Sequence, residues 1–236
     1  MQISELVQLD LKSKPELQEI WNGSLHIPDL CFSGLTTLKV NDCRFLSDAV
    51  LPFHLLSSLP KLEILKVENC DSVKTIFDVK CATQDTLVTF PLKNLFLFKL
   101  PNLKNVWNEN PHGILSMHHL REVNIEDCKC LKTVFPVSVA RDIVELENLV
   151  VKDCEGLMTI VAEDNTDQSL ELTSPCPCVR SLKIWGLTKF KYFYYCSLKS
   201  DIYTPLDSHT KNQLGTQKVL FFSCFLLFII GSVSAN

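Results

Sequence analysis

The sequence predicts an α/β solenoid, in which short strands from about seven repeats pair into a single parallel sheet. Two observations support this prediction: an apolar pattern recurs along the chain, and its copies are spaced nearly evenly. A third observation assigns a strand to every copy. Each one contains two apolar residues separated by a single residue, and side chains two positions apart on a strand point to the same face.

Each copy follows the pattern hxxhxxhxhxxhxxh, where h is an apolar residue. One complete copy consists of Phe32, Leu35, Leu38, Val40, Cys43 and Leu46, and the next of Leu59, Leu62, Leu65, Val67, Cys70 and Val73. Later copies have their paired strand residues at Leu95 and Leu97, Val123 and Ile125, Leu149 and Val151, and Leu182 and Ile184. The copies are about 26 to 33 residues apart, close to the leucine-rich-repeat period. We therefore predict a leucine-rich-repeat solenoid, or horseshoe, with a parallel concave sheet.

The first copy, with Leu9 and Leu11 on its strand, is incomplete because Lys14 stands where the next apolar residue belongs. Atypical terminal repeats are common in solenoids. A longer period of about 86 to 87 residues relates Leu9, Leu95 and Leu182, and it indicates duplicated blocks of three repeats. The aromatic residues at one fixed position of these blocks are predicted to be structural, and they are Trp21, Trp107 and Tyr194.

The segments between strands predict an irregular convex side with short helices. Residues 136–149 have the apolar spacing of a short helix. The segments LPFHLLSSLP and NENPHG are typical of turns, and the polar stretch AEDNTDQSLELTSPCP of a surface loop.

Three regions divide the chain. Residues 1–195 form the predicted repeat domain, 196–218 a polar linker, and 219–235 a hydrophobic segment without charges. A helix of its 15 most apolar residues would be roughly 22 Å long, short of the roughly 30 Å of a bilayer core. The segment is compatible with a membrane anchor, with a glycolipid-anchor signal, or with a fortuitous extension of a truncated gene copy.

Composition and charge exclude several function classes. The net charge of -4 is spread along the chain, which predicts no nucleic-acid partner. Four cysteines share one repeat position and are predicted to be reduced core residues, and they are Cys43, Cys70, Cys128 and Cys154. No cysteine or histidine spacing matches a standard zinc site, and no pattern brings catalytic side chains together. We therefore predict no metal, no cofactor and no enzymatic activity.

The candidate site is the outward face of the predicted sheet. Alternation along the strands turns Phe96, Phe98 and Trp185 away from the core, and large exposed aromatic residues favour protein binding. The accompanying polar positions are Lys39, Lys66, Glu68, Asn124, Glu126, Lys152 and Lys183. An ordinary solvated face is the alternative interpretation.

Several phrases of the chain resemble the carboxy-terminal repeats of plant intracellular disease-resistance proteins, the class with coiled-coil, nucleotide-binding and leucine-rich-repeat parts, especially legume members. These phrases are LKVNDCRFL, LEILKVENCDSVKTIF, LREVNIEDCKCLKTVF, LENLVVKDCEGLMTIVAED and LPNLKNVWNENPHG. The resemblance implies a cytoplasmic recognition module of innate immunity whose partner is a pathogen effector or a guarded host protein. The phosphate-binding pattern GxxxxGK[ST] is absent, so the sequence predicts no nucleotide-binding module. A generic repeat scaffold and a non-functional gene fragment are the alternatives.

Overall fold

The computed structural model describes residues 6–14, 16–18, 20, 32–44, 46, 49–80, 87–111, 113–162, 179–194, 220–222 and 225–227. The strands in chain order are β1 (Gln8–Lys12), β2 (Thr37–Asn41), β3 (Ala49–Pro52), β4 (Ile64–Glu68), β5 (Thr75–Asp78), β6 (Val88–Thr89), β7 (Asn94–Phe98), β8 (Asn105–Trp107), β9 (Leu115–Ser116), β10 (Glu122–Glu126), β11 (Thr133–Pro136), β12 (Asn148–Lys152), β13 (Thr159–Ala162), β14 (Ser181–Trp185), β15 (Tyr192–Tyr194), β16 (Leu220–Phe222) and β17 (Phe225–Leu227). Within the described residues, the α-helix α1 (Val137–Asp142) and a 3-10 helix (Phe53–Ser58) join them.

The main sheet contains seven parallel strands in the order β1-β2-β4-β7-β10-β12-β14, one from each predicted repeat. We call each of these strands with the turn that follows it a rung. The register pairs equivalent repeat positions, so that Leu38 lies opposite Leu65, and Leu65 opposite Leu95. The second and fourth residues of the five inner strands are fully buried, while nearly all of their neighbours on the other face are half-buried. The predicted leucine-rich-repeat solenoid, its strands and their order are confirmed.

Shorter parallel sheets lie beyond the turns: β3-β5-β8, β11-β13-β15 and the pair β6-β9. The sequence predicted an irregular side with short helices here, and these strands are a difference from that prediction. Each of β5 and β13 carries two successive buried apolar residues, such as Ile76 and Phe77. Short apolar runs lack the alternation that distinguishes a strand from other buried segments, which is why the sequence missed these strands.

The helical content of the described residues is small. The helix predicted within residues 136–149 is confirmed, but it is limited to α1. The segment interpreted as the turn LPFHLLSSLP contains the 3-10 helix instead. The predicted surface loop begins at Ala162, the end of β13, and its remaining residues lie outside the described part of the chain.

The residue after every main strand has a left-handed backbone. These seven residues, which we call the left-handed turn residues, are Ser13, Asp42, Asn69, Lys99, Asp127, Asp153 and Gly186, with φ between 50° and 68°. Except in the last rung, each also donates its N–H to the next rung, as Asp42 does to the carbonyl oxygen of Glu68 at 3.1 Å. Asn, Asp and Gly tolerate this conformation better than other residues. The turn therefore continues the hydrogen bonding of the sheet past the end of each strand.

Between the sheets, the core contains an aromatic row in addition to the leucines. The rings of Phe77 and Trp107 stack with centroids 5.3 Å apart, and Phe135 follows Trp107 at 5.9 Å. Trp107 is 4% exposed, so its predicted structural role is confirmed. Its indole Nε1 is buried and has no hydrogen-bond partner among the described residues. Trp21 lies outside the described residues, and Tyr194 ends β15.

The hydrophobic segment 219–235 is described only at β16 and β17, which pair antiparallel. The helix that a membrane anchor would require is not found at these described residues. In the described part of the chain, no helix is long and apolar enough to cross a membrane. The polar linker 196–218 lies outside the described residues, so the predicted domain boundaries stay predictions.

Candidate protein-binding surface

The outer face of the main sheet is formed by the first, third and fifth residues of its seven strands. We call the third residues the central line and the fifth residues the edge line. Along the central line lie Asp10, Lys39, Lys66, Phe96, Asn124, Val150 and Lys183. Along the edge line lie Lys12, Asn41, Glu68, Phe98, Glu126, Lys152 and Trp185. All ten candidate residues therefore lie on these two lines.

The aromatic residues of the outer face form two groups. Phe96 and Phe98 stack on β7 with centroids 6.3 Å apart and planes 9° from parallel. Trp185 lies three strands away on β14 and is 40% exposed. The structure therefore brings the two phenylalanines together but leaves the tryptophan separate.

A lysine lies over an aromatic ring in each group. Lys66 Nζ is 5.3 Å from the centroid of Phe98, and Lys152 Nζ is 5.8 Å from that of Trp185. A cation at this distance is attracted by the negative face of the ring. These contacts hold the rings in place while leaving apolar area available to a partner, because the lysine stems are themselves apolar.

Carboxylates compensate these two lysines. Glu68 Oε2 lies 2.8 Å from Lys66 Nζ, and Glu126 Oε2 lies 3.9 Å from Lys152 Nζ. By contrast, neither Lys39 nor Lys183 forms an ion pair with any described residue. Both lysines therefore lie near the two ends of the central line without a salt-bridge partner, and Asp10 lies opposite Lys39 in the β1–β2 register.

Asn124 lies between Phe96 and Val150 at the middle of the central line. Its Nδ2 donates a long hydrogen bond of 3.4 Å to Glu126 Oε1. Its Oδ1 is buried and has no partner among the described residues. A buried acceptor without a hydrogen bond lowers the stability of a folded protein by about 1 to 3 kcal/mol. The Asn124 Oδ1 atom is therefore a position where a partner could supply a hydrogen-bond donor.

The four repeat cysteines are buried, as predicted. Their thiols donate to the carbonyl oxygen two residues earlier, and the shortest of these contacts joins Cys70 Sγ to Glu68 at 3.2 Å. Burial raises the pKa of Cys70 to about 11. The hydrogen bond with Cys154, together with burial, raises the pKa of Cys128 well above its ordinary value. At neutral pH these two sulfurs are protonated, which suits core packing better than nucleophilic or metal-binding chemistry.

Ser116, His118 and Asp142 form a cluster outside the main sheet. Ser116 Oγ lies 2.9 Å from His118 Nδ1, and it donates to the carboxylate of Asp142 at 3.0 Å. The same carboxylate accepts the backbone N–H of Met117. In a nucleophilic relay the carboxylate orients the imidazole, whereas here it binds the serine and the backbone. The arrangement therefore joins β9 to the end of α1.

Metal binding requires several donor side chains that converge on one point. Within the described ranges, no group of three or more His, Cys, Asp and Glu side chains is arranged to hold a metal ion. The candidate surface is the outer face of the main sheet, and its chemistry is that of aromatic, amide and charged contacts.

Sequence reasoning did not predict the left-handed turn residues or the lysine contacts with the rings. A signal for the turns was present in the phrases NDC, ENC, EDC and KDC, where Asn or Asp precedes the repeat cysteine. The lysine contacts depend on side-chain conformations, which the alternation of a strand does not specify.

The stacked strands, the repeat period and the outer face define a leucine-rich-repeat protein without an evident catalytic centre among the described residues. A family model for plant disease resistance proteins of the RPS2-like type, leucine-rich repeats, matches residues 5–155. The chain belongs to this family.

Two curated relatives are similar to the chain. The disease resistance protein RPS4B of Arabidopsis thaliana is 26% identical over 150 residues, which cover 60% of this chain and 12% of the relative. The probable disease resistance protein At1g12290 of the same plant is 29% identical over 158 residues, 61% of this chain and 17% of the relative. The chain thus corresponds to less than a fifth of the length of either relative. No solved structure gives a significant match.

Proposed function

We propose that this chain is a protein-recognition module of plant innate immunity that binds its partner through the outer face of the main sheet. The partner is a pathogen effector or a guarded host protein, and the module performs no catalysis. Family membership and two relatives named as disease resistance proteins support a role in defence. The same proposal includes a finer assignment and a cytoplasmic location. The finer assignment is a legume-type protein of the coiled-coil and nucleotide-binding class, whose nucleotide-binding part is not in this chain.

The observation that carries the proposal is the pair of aromatic groups on the outer face, each covered by a lysine. Aromatic residues supply large contact areas, and they concentrate binding energy at protein interfaces. Phe96 and Trp185 lie three strands apart, roughly 14 Å at the usual strand spacing. A protein partner spans this distance easily, whereas a small ligand would touch only one group.

The test uses the full chain, which is immobilised on a support, incubated with plant extract and cross-linked to the proteins that it binds. We expect Phe98→Ala combined with Trp185→Ala to weaken binding of the captured partner by at least about 2 kcal/mol, since both side chains point outward and contribute little to the core. The matched control removes two exposed apolar side chains away from the outer face, Val144→Ala and Met158→Ala, which are 46% and 41% exposed.

The double aromatic variant must keep its cooperative unfolding transition for this comparison to be valid. A partner that binds the aromatic variant and the control equally well contacts another surface, and the proposal is then wrong. Unfolding of the aromatic variant would likewise contradict it, because it would show that these rings belong to the core.

A further inference from the structure

We propose that the outer face recognises an extended, acidic protein segment that lies across the strands, with one carboxylate bound by Lys39 and another by Lys183. This inference rests on the proposed function and specifies the chemistry of the partner. It follows from the distribution of compensated and uncompensated charges along the central line.

The central line from β2 to β14 is a continuous row of six side chains in register, Lys39, Lys66, Phe96, Asn124, Val150 and Lys183. Lysines occupy its two ends. Between them lie Lys66, which pairs with Glu68, the apolar Phe96 and Val150, and the amide Asn124. Five strand spacings separate Lys39 from Lys183, roughly 24 Å. A sheet face with this order of groups is complementary to a segment that is acidic at both ends and apolar in the middle.

The acidic residues of the outer face between these two lysines are already engaged. Glu68 pairs with Lys66 at 2.8 Å, Glu126 with Lys152 at 3.9 Å, and Glu122 accepts a hydrogen bond from Asn94 at 3.1 Å. Lys39 and Lys183 have no such partner in the described part of the chain. A partner therefore gains ion pairs at these two positions without first breaking existing ones, which favours carboxylates there.

The distance also limits the spacing within the partner. An extended chain advances about 3.3 Å per residue, so roughly 24 Å corresponds to about seven residues. Because alternate side chains of an extended segment point to the same side, the two carboxylates should be an even number of positions apart, about six or eight. The segment between them should be apolar, since it faces Phe96 and Val150, and a backbone N–H there can satisfy Asn124 Oδ1 once the amide rotates.

Nucleic acid fits the same surface poorly. Glu68, Glu122 and Glu126 lie on the outer face between the two lysines, where they would repel a continuous phosphate backbone. A segment with separate charges at its ends avoids these carboxylates.

The test is selection of a random peptide library, displayed on phage, against the full immobilised chain. We expect the selected peptides to carry acidic residues about six or eight positions apart with apolar residues between them. Measured as synthetic peptides, they should bind the variant carrying Lys39→Glu and Lys183→Glu on the order of tenfold or more weakly than the original chain. Their affinity should also fall with added salt.

The matched control is Lys104→Glu, an exposed lysine that precedes β8 outside the main sheet. This substitution changes the net charge as much as one of the two substitutions in the double variant, but it lies outside the central line. A second control combines Lys104→Glu with Lys61→Glu, so that its net charge equals that of the double variant. Both should bind the peptides as the original chain does. Circular dichroism and urea unfolding confirm that each variant is folded.

Selected peptides without paired acidic residues, or an unchanged affinity in the Lys39 and Lys183 variant, would overturn the inference. So would tight binding of a single-stranded RNA probe that depends on the same two lysines, because it would show a general polyanion surface. If the captured protein partner is lost by Phe98→Ala and Trp185→Ala but kept by the lysine variant, the proposed function stands and only this inference fails.

Discussion

The inner and terminal rungs of the solenoid have the same apolar pattern but different degrees of burial. Leu65 on β4 is fully buried, as are its equivalents Leu38 and Leu95 on the adjacent strands. Leu9 on β1 and Leu182 on β14 occupy the same repeat position but are only half-buried within the described part of the chain. Burial in a solenoid is therefore a property of the neighbouring rungs rather than of the residue itself.

The largest expected effect comes from removing one leucine at this shared position. Leu65→Ala should lower the free energy of unfolding by about 2 to 5 kcal/mol, because it leaves a cavity between two rungs. Leu9→Ala should cost less than half as much, because β1 pairs with a single strand, β2, among the described residues. Urea unfolding of the two variants measures the difference. Equal losses would mean that the first rung is covered as completely as the inner ones.

The repeat position of the cysteines gives a second comparison between inner and terminal rungs, because its contribution to stability depends on pH. In an inner rung this position is Cys70, whose pKa is raised to about 11, whereas the first rung has the exposed Lys14. The unfolded thiol ionises near pH 9 and the folded one near pH 11, so the folded state binds more protons in this interval. The stabilising contribution is complete below pH 9 and is lost as the pH rises through 11, on the order of 2 to 3 kcal/mol.

Urea unfolding between pH 8 and pH 11.5 measures this loss. Cys70→Ala should make the decline shallower by that amount, and Cys130→Ala, at an exposed thiol, should leave it unchanged. A decline that is identical in all three proteins would show that the folded Cys70 thiol ionises as readily as the unfolded one.

The smallest expected effect concerns the left-handed turn conformation, which the inner and terminal rungs share. Lys99 and Ser13 both have left-handed backbones, with φ of 52° and 50°, although one belongs to an inner rung and the other to the first. Lys99→Asn should stabilise the fold by about 0.5 to 1 kcal/mol, because asparagine adopts this conformation more readily. Thermal unfolding measures the gain.

Ser13→Asn should also stabilise the fold. The gain should be smaller, because the substitution removes the hydrogen bond that Ser13 Oγ donates to Asp42 at 3.1 Å. The control is Lys104→Asn, at a residue with an ordinary backbone, which should give no gain. If only Lys99→Asn raises the stability, then packing at that site, rather than the left-handed turn conformation, explains why asparagine is favoured there.

The outer face shows the same division between local pattern and neighbouring structure. Alternation along β7 and β14 predicts correctly that Phe96, Phe98 and Trp185 point away from the core. It does not predict that Lys66 covers Phe98 or that Asn124 lacks a partner for its Oδ1. These features arise between strands that are about 28 to 30 residues apart in the chain, where only the register brings the side chains together.

The sequence by itself determined the seven main strands, their parallel order and the inward position of residues such as Leu65 and Val67, because an alternating pattern repeated at a steady period permits one register. Only the tertiary structure decided that strands rather than irregular segments follow the turns. The buried pair of Ile76 and Phe77 has no alternation of its own, and it becomes part of a strand through hydrogen bonds to the rungs on either side. The tertiary structure also decided that Lys152 is compensated, because its ion pair with Glu126 depends on the distance between two side chains of different rungs.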